Sequence, residues 1–267
     1  MGTRPAAATI GYTGKAVLPH FGALRPDQIT VQHARAYTTA RKNAGLKVGT
    51  VWTELGHLRS CLTWAAKLGL IPRAPFIERP QKPAPKDRWL THDEVNQLLA
   101  ADAAPHIRLA TLLMLTTAGR IGAVLDLTWD RVDLDRGQIN LRTDQEGPRK
   151  GRAVVPINAT LRAALTVAKE ASMSPYVVEW AGDRVAKIRK GFDAMVVRSG
   201  LAGVTPHVLR HTAGVHMAAG GVPLSQIAQF MGHTSTAVTE KVYARFAPDH
   251  LRDAAEILDF GKMRSVK

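Results

Sequence analysis

The chain has 267 residues, of which 45% are hydrophobic and 22% charged, an ordinary globular composition. Its formal net charge of +14 favours a polyanionic partner, either nucleic acid or an anionic membrane. No apolar run approaches about 20 residues and no signal-peptide pattern opens the chain, which argues against membrane and secreted classes. The lone Cys61 excludes an internal disulfide. We expect it to be a buried small hydrophobe in a soluble, cytoplasmic protein.

The positive charge is concentrated in the first part of the chain. Residues 1–87 hold 13 Lys and Arg against 4 Asp and Glu. This imbalance predicts a small module that grips DNA. A solvated basic face that serves only solubility is the alternative, because net charge alone specifies no partner.

The region before residue 70 has the pattern of helices. The first twenty residues predict a short helix, and the next helix begins near Pro26 and Asp27 and ends at Gly45. A third helix follows, and its apolar residues recur at helical spacing: Val51, Leu55, Leu58, Leu62 and Ala65. We therefore predict a small all-helical domain over residues 1–80.

A proline-rich stretch over residues 71–89 separates this domain from the rest. Its five prolines block helix formation and favour an extended, semi-stiff tether: Pro72, Pro75, Pro80, Pro83 and Pro85. Lys82, Lys86 and Arg88 make the same stretch basic. We place a Pro-rich basic linker at 81–88 and a second domain at 89–267.

The second domain alternates between helical and short extended patterns. Thr91, three residues before Glu94, predicts a capped helix, and a long apolar helix follows over 106–118. Residues 129–142 predict two short strands joined at 135–137, and "RAVVPIN" predicts a third. Helices alone are predicted from 184 onward. The predicted fold class is mainly α with a small three-stranded β-sheet (α+β).

Two basic residues of this domain are candidates for handling a phosphate. Arg120 follows Gly119 between apolar segments, which suits a buried anion site, although a surface charge at a helix end is the alternative. Lys150 lies in the turn predicted between the second and third strands. An ammonium there can reach a groove and protonate a leaving oxygen, or it can be a solvated contact to backbone phosphates.

His207 and Arg210 lie at the start of a predicted helix that Thr205 and Pro206 open. Because they are three residues apart, both side chains fall on one face, at the helix end that favours anions. The spacing of His207 and His211 also fits a zinc site. The glutamate of the H-E-x-x-H motif and a nearby cysteine are missing, however. His211 is expected to pack or to orient a neighbour.

His233 follows Gly232 at a predicted helix end, and Tyr243 stands ten residues later. A tyrosine hydroxyl can attack phosphorus and form a covalent intermediate. On its helix, Tyr243 stands beside an apolar stripe that we expect to be buried: Ala237, Val238, Val242 and Phe246. Taken alone, a tyrosine in this position is better explained by packing.

The order and spacing of these residues resemble the catalytic signature of the tyrosine recombinases, the phage-integrase family. The resemblance implies a helical core-binding domain, a catalytic domain, and site-specific cleavage and rejoining of DNA through a 3′-phosphotyrosyl intermediate. It implies that Arg120 and Arg210 clamp the scissile phosphate, that His233 donates a hydrogen bond to it, and that His207 assists proton transfer. Lys150 would protonate the leaving oxygen and Tyr243 would be the nucleophile, with no metal or cofactor required.

The resemblance also implies partners. These are double-stranded DNA and further copies of the chain, as a tetramer on DNA, in a prokaryotic or phage-derived cytoplasmic setting; accessory DNA-bending proteins are left open. The tail after residue 247 would either close its own core or dock on a neighbouring subunit.

The chain departs from the family pattern at Ala123, where an acidic residue is expected three positions after Arg120. Asp126, one turn further on, is a candidate replacement. Two rival functions therefore stay open: a type IB topoisomerase-like enzyme that relaxes DNA, and a catalytically degenerate integrase-like DNA-binding regulator.

Overall fold

The computed structural model describes residues 4–84, 87–142, 153–247 and 252–258. The chain divides into two compact units, residues 1–86 and 87–267. Within the described ranges, no helix is long and apolar enough to cross a bilayer.

The first unit is built from three helices. They are α1 (Arg4–Phe21), α2 (Val31–Asn43) and α3 (Val48–Lys67), with a short 3-10 helix at Pro26–Gln28. At 18 residues, α1 is longer than the short helix that the sequence predicts. The apolar spacing on α3 is confirmed, because Val51, Leu55 and Leu62 are buried in the core of this unit.

The prediction that Cys61 is buried is wrong. Cys61 is exposed on α3, whereas its neighbour Leu62 belongs to the core. One residue advances a helix by about a quarter of a turn. The face that buries Leu62 therefore directs Cys61 towards solvent.

Both ends of the proline-rich stretch are anchored, each in its own unit. On the first side, Ile77 is buried in the core, and the Arg79 guanidinium stacks over the Trp52 ring at 4.2 Å. On the second side, Leu90 is fully buried, and its backbone N–H donates to the Thr212 hydroxyl at 2.9 Å.

The second unit holds nine helices and two small sheets among its described residues. The helices are α4 (His92–Ala100), α5 (Pro105–Thr117), α6 (Ile121–Leu125), α7 (Ala159–Glu170), α8 (Arg189–Arg198), α9 (Pro206–Ala219), α10 (Leu224–Met231), α11 (Thr236–Tyr243) and α12 (Arg252–Ile257). The capping box predicted for α4 is present, since the Thr91 hydroxyl accepts from the Glu94 N–H and Glu94 accepts from the Thr91 N–H.

The predicted three-stranded sheet is confirmed. Strands β1 (Val132–Asp133), β2 (Gln138–Asn140) and β3 (Val154–Pro156) pair antiparallel in the order β1-β2-β3. Ile139 faces Val132 on one side and Val155 on the other, and all three are buried. A mostly helical chain with this small sheet is the fold class that the sequence predicts.

A second hairpin is not predicted by the sequence. It pairs β4 (Glu179–Trp180) with β5 (Asp183–Arg184). Both residues of its turn have positive φ, 51° at Ala181 and 80° at Gly182. Two-residue hairpin turns of this kind usually carry Asn-Gly or Asp-Gly, and the Ala-Gly pair lacks that signal.

Helix α5 is the central element of the second core and positions the site. Leu113 and Met114 are fully buried in this core, to which Leu209 of α9 also belongs. The last turn of α5 runs into Ala118, Gly119 and Arg120, while α9 carries Arg210 on its buried side. The packing of these two helices therefore brings the two arginine segments together.

A buried polar network stabilises the first unit. The Tyr37 hydroxyl, on a fully buried side chain, donates to Glu54 at 2.8 Å. The Arg41 guanidinium donates to both oxygens of the same carboxylate, at 2.6 and 3.1 Å. Burial alone would raise the pKa of Glu54, but these hydrogen bonds outweigh it and the pKa is lowered. The carboxylate is therefore ionised and shared between α2 and α3.

We expect Tyr37→Phe to lower the free energy of unfolding by about 1–3 kcal/mol, because it leaves a buried carboxylate oxygen without its phenol donor. Urea unfolding of the full chain at neutral pH measures the difference. Tyr12→Phe is the matched control, since Tyr12 is 79% exposed. Equal loss in both variants would show that the Tyr37 hydroxyl contributes nothing specific.

Candidate functional site

Arg210 is held in the site by neutral groups. Its guanidinium donates to the backbone carbonyls of Ala118, at 2.5 Å, and Met231, at 2.7 Å, although the side chain is nearly fully buried. Among the residues that the structure describes, no carboxylate pairs with it. Burial and the nearby charge of Arg120 lower the pKa of Arg210 to about 10. The group stays cationic at neutral pH and, within the described ranges, has neutral hydrogen-bond partners.

His233 completes the grip on Arg210. Its Nε2 lies 2.9 Å from a terminal nitrogen of Arg210, which can only donate, so Nε2 accepts. The Nδ1 atom lies 2.8 Å from the Thr239 hydroxyl. Burial, together with the positive charges of Arg210 and Arg120, lowers the pKa of His233 to about 4. His233 is therefore neutral at neutral pH and has its proton on Nδ1.

Arg120 and Arg210 line one small cavity. Its remaining lining includes the buried Ala123 and Phe230 of α10. A neighbouring groove lined by His233 shares Phe230 with this cavity and adds Arg142. Both arginines therefore contribute to the wall of the same cavity.

Ala123 presents only a methyl group to this cavity, where the family pattern has an acidic residue. The carboxylate of Asp126 forms an ion pair with Arg184 of β5. Asp126 is therefore engaged with the second hairpin.

Tyr243 ends α11 and is buried at 4% exposure. Its ring packs closely against α9 at Gly214, because a Cβ added there would stand 2.5 Å from Cε1 and Cζ of the ring. Burial raises the pKa of Tyr243, and the positive charge of Arg210 partly opposes that rise. The phenol therefore lies in the electrostatic field of the same arginine that His233 contacts.

The predicted buried stripe of α11 is confirmed at Val242 and Phe246, which pack against the cluster that contains Tyr243, and wrong at Ala237 and Val238. Thr239 and Tyr243 are the buried residues of this helix, whereas Ala237 is exposed and Val238 is 57% exposed. The buried face is set by the contacts of Thr239 with His233 and of Tyr243 with α9. A prediction from hydrophobicity alone selects the adjacent face of α11, because the buried face carries the hydroxyl-bearing side chains of Thr239 and Tyr243.

The other two predicted site residues are His207 and Lys150. His207 lies in the first turn of α9 and is exposed, one turn before the buried His211. Lys150 lies outside the described residues. No group of three or more His, Cys, Asp or Glu side chains in the described ranges is arranged to hold a metal ion.

Three residues of the site are not identified by the sequence analysis as functional: Asp87, Gly214 and Thr239. Thr239 and Gly214 give only a weak signal in the sequence. They are a polar residue and a glycine, and only the structure shows that they face a helix interface. Nothing in the sequence around Asp87 predicts its place in the site, because the residues that it contacts are far away in the chain. It pairs with Arg245 and lies 3.5 Å from His211 Nε2.

Sequence comparison decides the family. The family model described as "Phage integrase family" matches residues 88–250, more than half of the chain. The chain belongs to the phage integrase family. Among curated relatives of this family, tyrosine recombinase XerA of Pyrococcus horikoshii is 28% identical over 235 residues, covering 85% of this chain and 80% of that protein. Tyrosine recombinase XerC of Rhizobium meliloti is 30% identical over 239 residues, covering 82% and 72%.

Solved structures of integrases share the fold. The Tn1549 transposon integrase in complex with transposon right-end DNA superposes with a TM-score of 0.80 at 18% identity, covering 96% of this chain and 94% of that one. A lambda integrase tetramer bound to a Holliday junction gives a TM-score of 0.73 at 18% identity, covering 94% and 73%. The family match and the curated relatives support the recombinase function implied by the family signature. The protein is a tyrosine-type site-specific recombinase, and the two rival functions are not favoured.

We expect the pKa of His233 to make folding stability depend on pH. The folded pKa of about 4 lies below the ordinary value of 6.5, so the unfolded chain binds a proton that folded His233 excludes. The free energy of unfolding should therefore fall as the pH is lowered from about 6.5 to about 4, and His233→Gln should lack this component. Urea unfolding at a series of pH values measures it, with His33→Gln, at a half-buried position of the first unit, as control. Parallel curves for His233→Gln and the wild type would contradict the assignment.

Gly214→Ala should force the Tyr243 ring from its place, because the new methyl group would overlap two ring carbons. We expect a destabilisation of about 1–3 kcal/mol, as is usual for overpacking. Thermal unfolding checks it against Gly14→Ala, a helical position with open space that should gain up to about 1 kcal/mol. Equal stability of the two variants would mean that the ring is not held against Gly214.

Proposed function

We propose that this recombinase cleaves and rejoins double-stranded DNA through a 3′-phosphotyrosyl link to Tyr243. One observation carries the proposal: Arg120 and Arg210 line one cavity, Arg210 has no carboxylate partner among the described residues, and it interacts with the neutral His233 and the buried Tyr243. A phosphodiester supplies a negative charge that can pair with Arg210. A phenol beside that charge is the nucleophile that forms the covalent link.

The two arginines bind the nonbridging oxygens of the scissile phosphate. A guanidinium is a planar donor fork that matches phosphate oxygens and stays charged when buried. Carbonyl partners fix Arg210 before DNA arrives, so little reorganisation is needed as negative charge develops in the transition state. Such preorganised charge is usually the largest catalytic contribution.

His233 donates a hydrogen bond to the same phosphate in this proposal. Its Nε2 accepts from Arg210 in the structure, so donation to the phosphate requires that the proton move from Nδ1 to Nε2. The Thr239 hydroxyl permits this change, because a hydroxyl can either accept from Nδ1–H or donate to bare Nδ1. Thr239 is thus a partner for both tautomers of His233.

Lys150 and His207 are assigned to proton transfer. We assign Lys150 the protonation of the departing 5′ oxygen, on the strength of the family signature and its sequence position between β2 and β3. His207 stands on the exposed first turn of α9, one turn from Arg210, where it can assist proton transfer at the DNA surface. The 5′ hydroxyl of a second strand then attacks the phosphotyrosine and restores the phosphodiester. Neither a nucleotide nor a metal is required.

The partners follow from charge and from the related structures. The net charge of +14 and the basic first unit suit double-stranded DNA, and we assign residues 1–80 to core binding, 81–88 to the linker and 89–267 to catalysis. Assembly of four copies on DNA is supported by the lambda integrase tetramer on a Holliday junction. Accessory DNA-bending proteins and a prokaryotic cytoplasmic location belong to the same proposal.

Tyr243→Phe should abolish covalent protein–DNA adducts, because it removes the attacking oxygen and little else. The measurement is adduct formation on a nicked duplex whose cleaved fragment diffuses away, with DNA binding followed in parallel. Binding should remain close to that of the wild type and should weaken steeply with salt, since phosphate contacts release counterions. Tyr176→Phe is the control and should form adducts normally.

Adducts that survive in Tyr243→Phe would overturn the assignment of the nucleophile. An absence of adducts in the wild type would favour the DNA-binding regulator. Relaxation of supercoiled DNA without strand exchange between two duplexes would instead favour a topoisomerase.

A further inference from the structure

His211 is a buried histidine that the proposed mechanism does not use. It lies on α9 next to Arg210, with its ring 5.4 Å from the Tyr243 ring, centre to centre, and 6.4 Å from that of Phe246. Its Nδ1 atom lies 3.4 Å from the Tyr243 hydroxyl. Its Nε2 atom has no hydrogen-bond partner among the described residues and faces the carboxylate of Asp87 at 3.5 Å.

We propose that His211 takes the phenol proton from Tyr243 and that Asp87 orients His211 for this task. The inference rests on the proposed role of Tyr243 as nucleophile. It adds a base and its orienting carboxylate, arranged in the order nucleophile, imidazole, acid that recurs in nucleophilic catalysis.

The carboxylate of Asp87 selects the useful tautomer of His211. A carboxylate facing Nε2 favours the form with its proton on that nitrogen, which leaves Nδ1 free to accept from the phenol. The ion pair with Arg245 holds the same carboxylate in place. Both distances from His211 are longer than good hydrogen bonds, and such contacts commonly tighten only when substrate is bound.

Tyr243 needs a base because its surroundings make it a weaker acid. Burial raises the pKa of the phenol, and the charge of Arg210 offsets only part of the rise. His207 is exposed on the first turn of α9, whereas His211 contacts the reacting oxygen. The geometry therefore favours His211 over His207 for this proton.

The proposed step balances in atoms and charge. As the Tyr243 oxygen forms its bond to phosphorus, its proton passes to Nδ1 of His211, and the resulting imidazolium is paired with Asp87. The bond between phosphorus and the 5′ oxygen breaks, and that oxygen takes a proton from Lys150. In the rejoining step the imidazolium returns its proton to the departing phenolate.

The test separates deprotonation of the nucleophile from protonation of the leaving group. Single-turnover cleavage is compared on a normal substrate and on one with sulfur in place of the 5′ bridging oxygen, since a thiolate leaves without a proton. His211→Asn should slow cleavage about 100-fold or more on both substrates, as expected for loss of a general base. Lys150→Ala should slow cleavage on the oxygen substrate only.

The pH profile supplies a readout that a packing role would not change. In His211→Asn only solvent can remove the phenol proton, so its cleavage rate should keep rising at high pH, where the wild type levels off. The charged and titratable groups around His211 are Tyr243 and Arg245 near the end of α11, Asp87 before α4, and His207 and Arg210 on α9. Asp87→Asn should show the same change in profile with a smaller loss of rate.

His216→Gln is the matched control, because His216 lies on the same helix and contacts the Leu90 carbonyl at 2.8 Å. It should leave the pH profile unchanged even where it lowers thermal stability. A His211→Asn profile parallel to that of the wild type, or a loss seen only in His207→Asn, overturns the proposal. Adducts in Tyr243→Phe would refute the nucleophile itself, whereas normal dependence on Tyr243 with wild-type kinetics in His211→Asn would refute only the base.

Discussion

The site depends on one buried guanidinium that is held without a carboxylate among the described residues. Arg210 of α9 bonds to the carbonyls that end α5 and α10 and to His233, two residues beyond α10, so three stretches of chain meet around a single cation. A buried ion pair would have been the more usual way to bury an arginine, but it would have neutralised the group. Carbonyl and imidazole partners satisfy the N–H donors while leaving the charge to attract an anion. The folded state thus retains a buried positive charge, which a phosphate offsets in the proposed mechanism.

The backbone conformation of Ala118 positions both Arg120 and a carbonyl partner of Arg210. This residue closes α5 in the left-handed conformation, with φ of 48°, which costs a residue other than glycine roughly 1–2 kcal/mol. Its side chain is fully buried, and its carbonyl is one of the two that Arg210 contacts. The same turn redirects the chain so that Arg120 begins α6 beside the cavity. Strain at this turn is consistent with a functional site, where such residues persist because the surrounding packing holds them.

Local patterns predicted much of the fold and the identities of the proposed site residues. The capping box at Thr91, the stripe on α3 and the three strands each depend on neighbours in sequence, and each was predicted from sequence. The β4–β5 hairpin, the exposure of Cys61 and the buried face of α11 were not. These three features depend on which face of a helix or strand packs against another element. Thr239, for example, is buried in contact with His233, and a hydrophobicity pattern does not predict that contact. Asp87 was missed for the same reason, since its partners lie more than 100 residues away in sequence.

Ala123, which stands in place of the family's acidic residue, affects the electrostatics of the cavity. Ala123 is buried on the cavity that Arg120 and Arg210 share, so a carboxylate there would lie near both cations. The positive charge of Arg120 contributes to the lowered pKa of Arg210, and the methyl group of Ala123 does not oppose this effect. A carboxylate at position 123 would offset part of the repulsion between the two arginines. Under the proposed mechanism, the scissile phosphate of the DNA, and not a side chain at position 123, offsets the positive charge of Arg210.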